Sequence, residues 1–258
     1  MRFPESPRVR YQRNPLVEVI CQVRFSKILR IEKEPPYEVQ EAIRSDYPDL
    51  EIAQGVEVAM PMAGNAPPIA ISRGQAYEFL SKDRTWKLVL TGDFIALSTT
   101  AYTTWGIFRE KFIRAVETIT QKYTISSFTR IGLRYQDVVV RSELDLSGKP
   151  WVELLRHEFA GALVAKDFIE QDINEALSVI TFSLGGDAGI CRLRHGLARK
   201  GDSKELGYLI DADFFTERQT EVGNGGVILD DFNREAGRLF RWCIGNTLHG
   251  AMGPEPIK

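Results

Sequence analysis

The chain has 258 residues, 43% hydrophobic and 26% charged, with 33 Lys+Arg against 35 Asp+Glu and a formal net charge of −2 at pH 7. That mixture is typical of a soluble globular chain and excludes a long disordered protein, which needs low hydrophobicity and high net charge. It also argues against a uniformly cationic nucleic-acid binder, because no global excess of Lys and Arg is present. The length permits one large domain or two of about 125 residues each, and either can bury a core. No run approaches the roughly 18–20 apolar residues of a membrane helix. The opening MRFPESPRVRYQRNP has no apolar stretch behind its charges, so no secretory signal is expected. Cys21, Cys191 and Cys243 are widely spaced, form no C-x-x-C pair and sit in apolar runs. They read as free thiols in a reducing, cytoplasmic setting.

Residues 1–15 form an extended basic arm, with Arg2, Arg8, Arg10 and Arg13 against Glu5 and with Phe3 and Tyr11 interleaved. Pro4, Pro7 and Pro15 suit a strap laid over the protein's own surface; a grip on nucleic-acid phosphates is the alternative. Residues 16–25 alternate, with Val17, Val19, Cys21, Val23 and Phe25 on one side and Glu18, Gln22 and Arg24 on the other. This predicts a half-buried strand with one polar face. After Pro35-Pro36 a short helix is expected over 37–47, stopped by Pro48. Strand-like runs follow near 50–60, 67–73, 76–82, 85–91 and 93–99. Trp105, Phe108, Phe112, Val116, Ile119 and Tyr123 then recur every three or four residues, the stripe of an amphipathic helix over about 102–123.

The second half repeats that order. Residues 128–140 read as a strand, with Ile131, Leu133, Tyr135 and Asp137 on one face and Arg130, Gly132, Arg134 and Gln136 on the other. A short helix over 151–159 and strand-like stretches at about 162–170, 175–184, 189–198 and 205–215 come next. Gly185-Gly186-Asp187 reads as a hairpin turn and Gly223-Asn224-Gly225-Gly226 as a loop before a helix. Leu229, Phe232, Ala236, Leu239, Cys243 and Thr247 close the chain with a second long helical stripe.

Three local matches support a duplication: Gln22-Val23-Arg24-Phe25 with Gly132-Leu133-Arg134-Tyr135, Pro36-Tyr37 with Pro150-Trp151, and Asp93-Phe94 with Asp213-Phe214. The expected fold is therefore α+β, two β-α-β4-α units over 16–125 and 126–258, each an antiparallel curved sheet packed on its long helix. That order of elements is the plan of the TATA-binding-protein-like and helix-grip folds, and it implies architecture rather than activity. Whether the two sheets join in one saddle or form separate lobes is left open by the pattern.

The string Tyr11, Asn14-Pro15-Leu16-Val17-Glu18-Val19, Cys21-Gln22-Val23-Arg24-Phe25, then Leu29, Ile31 and Tyr47-Pro48, resembles a sporadically distributed prokaryotic family of proteins of about this length. Trp105 and the Arg134-Tyr135 strand are similar to that family too. The family's members are uncharacterised, so the resemblance implies no activity. Its patchy occurrence implies accessory genes, such as defence or toxin–antitoxin loci.

The candidate site is the polar strand face: Glu18, Gln22 and Arg24 from the first half, Arg130, Arg134 and Gln136 from the second. Under a pseudo-two-fold, Arg24 and Arg134 occupy equivalent places, and guanidinium forks suit an anion or a partner's carboxylate. Ordinary solvated strand residues are the plainer reading of the same pattern. Glu18, Ile20, Gln22 and Arg24 offer a single acid where the first strand of a triphosphate-tunnel enzyme alternates two, which argues against Mg²⁺-dependent phosphate chemistry. Asp211 and Asp213, near Glu217, read as a polar sheet face, and Trp86 as an aromatic to check for exposure. No nucleotide-binding, nucleophile-elbow or metal-ligand spacing occurs among the motifs, and His157, His195 and His249 show no metal-site spacing. The expectation is a non-enzymatic cytoplasmic binding or regulatory protein with a protein partner, without cofactor or metal. Binding of a nucleotide or other anion on the polar face is the alternative. Nucleic acid and membrane are not expected, and a homodimer is compatible with the pattern.

Overall fold

The computed structural model describes residues 2–57, 71–165, 172–186, 188–201 and 205–257. The first half runs β1 (Val9–Tyr11), β2 (Leu16–Arg24), α1 (Leu29–Lys33), α2 (Tyr37–Ile43), β3 (Asp49–Glu57), β4 (Ile71–Leu80), β5 (Trp86–Thr91), β6 (Phe94–Thr99) and the long α3 (Trp105–Tyr123). The second runs β7 (Ser127–Phe128), β8 (Arg130–Val139), α4 (Trp151–Leu154), α5 (His157–Ala160), β9 (Leu177–Ser183), β10 (Ile190–Arg199) and β11 (Leu206–Thr216). It continues through β12 (Thr220–Glu221) to α6 (Gly225–Cys243), α7 (Asn246–Ala251) and β13 (Pro254–Pro256).

The long helices form where the sequence supplies both a stripe and an end. Thr104 caps α3 by accepting the Ile107 N–H, and Thr124 closes it in the left-handed conformation at φ 54°. Phe108, Phe112, Ala115, Val116 and Ile119 face the core from α3, and Leu229, Phe232, Ala236, Leu239 and Cys243 from α6. The β9–β10 loop turns through Gly185, Gly186 and Gly189 at φ 90°, 50° and 99°, values that a side chain would strain.

Among the described residues nine strands form one antiparallel sheet in the order β3-β4-β5-β6-β2-β8-β11-β10-β9. β2 and β8 lie side by side at its centre, and in each half the chain crosses from there to the sheet's edge and meanders back inward, to β6 beside β2 and to β11 beside β8. In the central ladder Cys21 faces Leu133, Gln22 faces Gly132, and Arg24 faces Arg130. Both long helices cover the face that carries Val19, Cys21, Val23, Ile131, Leu133 and Phe214, and these residues share one core.

Several expectations are corrected. The short helices end early: α2 stops at Ile43, and the stretch 151–159 breaks into α4 and α5 at Leu155-Arg156. β4 is one strand where separate runs over 67–73 and 76–82 were expected, and residues 58–60 and 67–70 of the expected runs lie outside the described residues. Of the expected strand over 162–170, residues 161–164 form a 3₁₀ turn and 166–171 lie outside the described residues. Register corrects the third local match by one residue: Phe94 lies opposite Arg24, whereas Phe214 lies opposite Leu133. A one-residue slip reverses the face, so Phe94 points away from the helices and Phe214 into the core.

The arm is a strap. Phe3 is buried against Phe182, Phe214 and Trp242, a contribution of roughly 1.5–3 kcal/mol. β1 pairs with β13, and Arg2, Arg8, Arg10 and Arg13 engage Asp231, Asn233, Glu255 and Asp145 of the same chain. Trp86 is half-buried on Phe108 with Lys111 over its ring. Among the described residues, no helix is long and apolar enough to cross a membrane.

Candidate functional site

Residues directly opposite in an antiparallel ladder share a face. Glu18 lies opposite Gln136, Ile20 opposite Arg134, and Arg24 opposite Arg130. All six expected residues therefore stand on one face, the one turned away from the long helices. Arg24 and Arg134 sit symmetrically about the Gln22–Gly132 pair, two positions to either side of it along the ladder.

That face is a buried polar layer rather than the solvated one expected. Glu18, Gln22, Arg130, Arg134 and Gln136 are all at least nine-tenths buried. The reason is position. β2 and β8 are flanked on both edges, and long side chains lie down across neighbouring strands. The Arg130 guanidinium rests over Gly132, where a Cβ would come within 2.4 Å of Nη1. From there it donates to Gln22 Oε1 at 3.0 Å and Asp213 Oδ2 at 3.2 Å.

The two halves of the face differ. On the β6 side, Ile20, Ala76, Val89, Phe94 and Ala96 close into a small apolar cluster. On the β11 side lies a cavity of about 330 Å³ lined by Arg24, Arg130, Arg134, Arg192 and Arg194 together with Asp211, Asp213 and Glu217. By register, Asp213 stands against Arg134 as Phe94 stands against Arg24. The expected six residues are thus brought to one face, but only Arg24, Arg130 and Arg134 of them line the cavity.

The cavity is held by charge pairs of unequal strength. Arg134 grips Asp211 with a two-pronged fork, Nε to Oδ1 at 2.6 Å and Nη2 to Oδ2 at 2.7 Å, and Arg194 Nη1 reaches Oδ2 at 3.5 Å. Burial works against the Arg134 cation, yet the hydrogen bonds and charge of Asp211 outweigh it and raise its pKa. Arg130 fares differently. Burial lowers its pKa, and Arg24 and Arg192 push the same way against Asp213 and Glu217. Burial likewise raises Asp213 despite Arg130 and Arg134, and lowers Arg194 despite Asp211. Five cations thus surround three acids, and burial outweighs the acids at two of those cations, Arg130 and Arg194. Gln22 Nε2, Gln136 Oε1 and Asp213 Oδ1 are buried without a hydrogen-bond partner, so the layer retains unused polar capacity. Arg192 is exposed and stacks over Phe215 at 5.7 Å; among the described residues it makes no hydrogen bond or ion pair.

Asp211, Asp213 and Glu217, read from sequence as a bland polar strand, are the counter-charges of this cavity. Arg192 and Arg194 were missed, although their two-residue spacing within 189–198 was the signal. The stretch read as a loop before the helix is a 3₁₀ turn over Val222–Asn224 followed directly by α6, whose first residues are Gly225 and Gly226, and Asp230 in the second turn accepts from Trp105 Nε1 at 2.7 Å and Arg109 Nε at 2.8 Å. The three thiols are buried, and burial raises their pKa values, which leaves them poor nucleophiles. Among the described residues no group of three or more His, Cys, Asp or Glu could hold a metal ion. Comparison with known proteins finds neither a matching protein family nor a matching curated protein.

Proposed function

We propose that this chain is a non-enzymatic binding protein that holds an anionic group, a phosphoryl or carboxylate, in the arginine-lined cavity of the open sheet face. One observation carries the reading: five arginines converge on a cavity of about 330 Å³ whose three acids leave them in excess. A small phosphorylated molecule matches that size. Its oxygens would accept from Arg24, Arg130, Arg192 and Arg194 while the Arg134–Asp211 fork keeps the wall in place.

A protein partner is the second reading, favoured by β9. Among the described residues this strand is the last in the sheet, with Val179 58% exposed, and on the adjoining β10 the cavity-lining Ile190 is 37% exposed. A partner strand added there would bring an acidic or phosphorylated side chain to the arginines. We further infer that the chain is one β-α-β4-α unit written twice, on a TATA-binding-protein-like plan. The mirrored strand order about β2 and β8 supports it, with three described strands after β8 against four after β2. Three free buried thiols fit a reducing cytoplasmic compartment.

The test is thermal-shift titration with inorganic phosphate, pyrophosphate and phosphorylated metabolites, on wild type and Arg192→Ala. A ligand at about 100 times its Kd adds about 2.7 kcal/mol of stability. Arg192→Ala is expected to unfold like wild type when ligand-free but to lose most of that gain. Silence across the panel, or equal shifts in both proteins, overturns the proposal; capture of a partner protein through the β9 edge instead replaces it with the second reading.

A further inference from the structure

The opposite, helix-covered face of β8 carries a second feature that the arginine cavity does not use. Tyr135 and Asp137 alternate onto that side and line a cavity of about 770 Å³. The strap, residues 6–11, and residues 255–257 form another wall, and α3 and α6 complete it. The size lies within the usual range for small-molecule sites.

Asp137 is 7% exposed, and among the described residues its carboxyl makes no hydrogen bond or ion pair. The neighbouring hydroxyls are engaged. Asn233 Nδ2 donates to Tyr135 Oη at 2.7 Å, and Tyr11 Oη shares a 2.8 Å hydrogen bond with His249 Nδ1. The free capacity at this end of the cavity is therefore the carboxyl of Asp137. Burial, with the Asp211 charge adding to it, pushes its pKa up to about 8, so at neutral pH it is an acid with one O–H donor beside one carbonyl acceptor. The walls are aromatic: Tyr11, Tyr102, Trp105 and Phe240.

Room in the cavity is also written into the helices. Gly106 in α3 and Gly237 in α6 both line it, and a Cβ built at either meets nothing within 4 Å. Glycine inside a helix destabilises it relative to alanine, and here its absent side chain leaves space. A cationic ligand is disfavoured, because Arg8, Arg10, Arg234, Arg238 and Arg241 outnumber Glu255 around the same cavity.

We propose that this cavity binds a planar heterocycle carrying an adjacent donor and acceptor, the chemistry of a nucleobase, with its rings between the aromatic walls and its edge read by Asp137. Side-by-side donor and acceptor atoms on a neutral carboxyl complement an amide-type ring edge, and aromatic faces stack on any base. The source is a free nucleoside or the base of a nucleotide; in the second case the lining arginines Arg8, Arg10, Arg234, Arg238 and Arg241 supply cations for the phosphate.

The test is equilibrium binding of the common nucleosides and their monophosphates to the whole chain, in wild type, Asp137→Leu, Asp137→Asn and Gly237→Leu. At least one nucleoside is expected to bind. Asp137→Leu and Gly237→Leu should weaken it by about tenfold or more, while raising the ligand-free melting temperature. Asp137→Asn, which keeps a donor beside an acceptor, should stay within a few-fold of wild type. Nucleosides that fail to bind at millimolar concentration, or that bind Asp137→Leu as well as wild type, overturn the inference. Should Asp137→Leu not fold, Gly237→Leu decides, since it fills open space on a helix; binding unaffected by that filling overturns it equally. Arg192→Ala should leave this binding unchanged, which separates it from the anion site on the other face.

Discussion

Asp211 and Asp137 are two buried carboxyls on adjacent strands, 2% and 7% exposed, that point to opposite faces of the same sheet. Asp211 lies in the fork of Arg134, with Arg194 at 3.5 Å. Asp137 has aromatic neighbours and, among the described residues, no hydrogen-bond or ion-pair partner, and its pKa rises to about 8. Burial alone therefore does not decide how an acid behaves here. On the open face, cations supply the compensation and exceed what the acids need. On the helix face nothing compensates, so the proton does. The proposed anion site draws on the first arrangement, and the proposed base site on the second.

The largest expected effect breaks the charged side of this contrast. Arg134→Met would leave Asp211 buried with Arg194 alone, and losing one member of a buried pair costs about 3–5 kcal/mol. The double variant Arg134→Met/Asp211→Leu should recover most of that loss in denaturant unfolding, because apolar replacement of both partners is often neutral. A double variant no more stable than the single one would show that the fork contributes little beyond packing.

The pH dependence of stability probes the other acid. In the unfolded chain Asp137 loses its proton near its ordinary 3.8, whereas in the folded chain it keeps the proton up to about 8. Between those values the native state binds more protons than the unfolded one, so stability falls as pH rises, by at most about 1.4 kcal/mol per pH unit, and levels off above 8. Tyr11, Cys243 and Asp211 are the other titratable groups that share its field. Asp137→Asn should remove the decline between pH 4 and 8 in thermal or denaturant melts. Parallel curves for the two proteins would assign the titration to another group.

Much of the architecture was legible because period and order survive in one sequence. Alternation at 16–25 and 128–140 placed six polar residues on one face of two strands, and the helical stripes matched α3 and α6, except that the chain breaks at the extended Ile244 and leaves Thr247, expected in the second stripe, in the separate α7. What sequence could not supply was register and cover. Arg192 and Arg194 meet Asp213 and Asp211 only because β10 pairs with β11 in one alignment, and that alignment is set by contacts across the sheet. The Asp93-Phe94 match failed for the same reason, since a shift of one residue sends a side chain through the sheet. The polar face looked solvated because nothing in a single strand shows a neighbour's guanidinium lying over it. Asp137 was read on the face of Ile131, Leu133 and Tyr135, but that this face is the helix-covered one, and what surrounds the carboxyl there, depends on a strap and a helix about 100 residues or more away in the chain.

The smallest change sharpens the comparison furthest. Gly132 is where the Arg130 guanidinium lies flat on the sheet, and a methyl group there would overlap Nη1 at 2.4 Å. The group that must move is the end of a flexible side chain, so Gly132→Ala should alter stability by less than about 1 kcal/mol. It should nevertheless lift Arg130 away from Gln22 Oε1 and Asp213 Oδ2, and so reshape the cavity wall without removing a charge. If the anion is held by directed hydrogen bonds from Arg130, its affinity falls by about tenfold, measured by thermal shift or calorimetry, while nucleoside binding on the helix side is untouched. If the cavity attracts anions only through its excess charge, affinity stays constant, because the charge count is the same. The two outcomes separate a built site from a merely positive one.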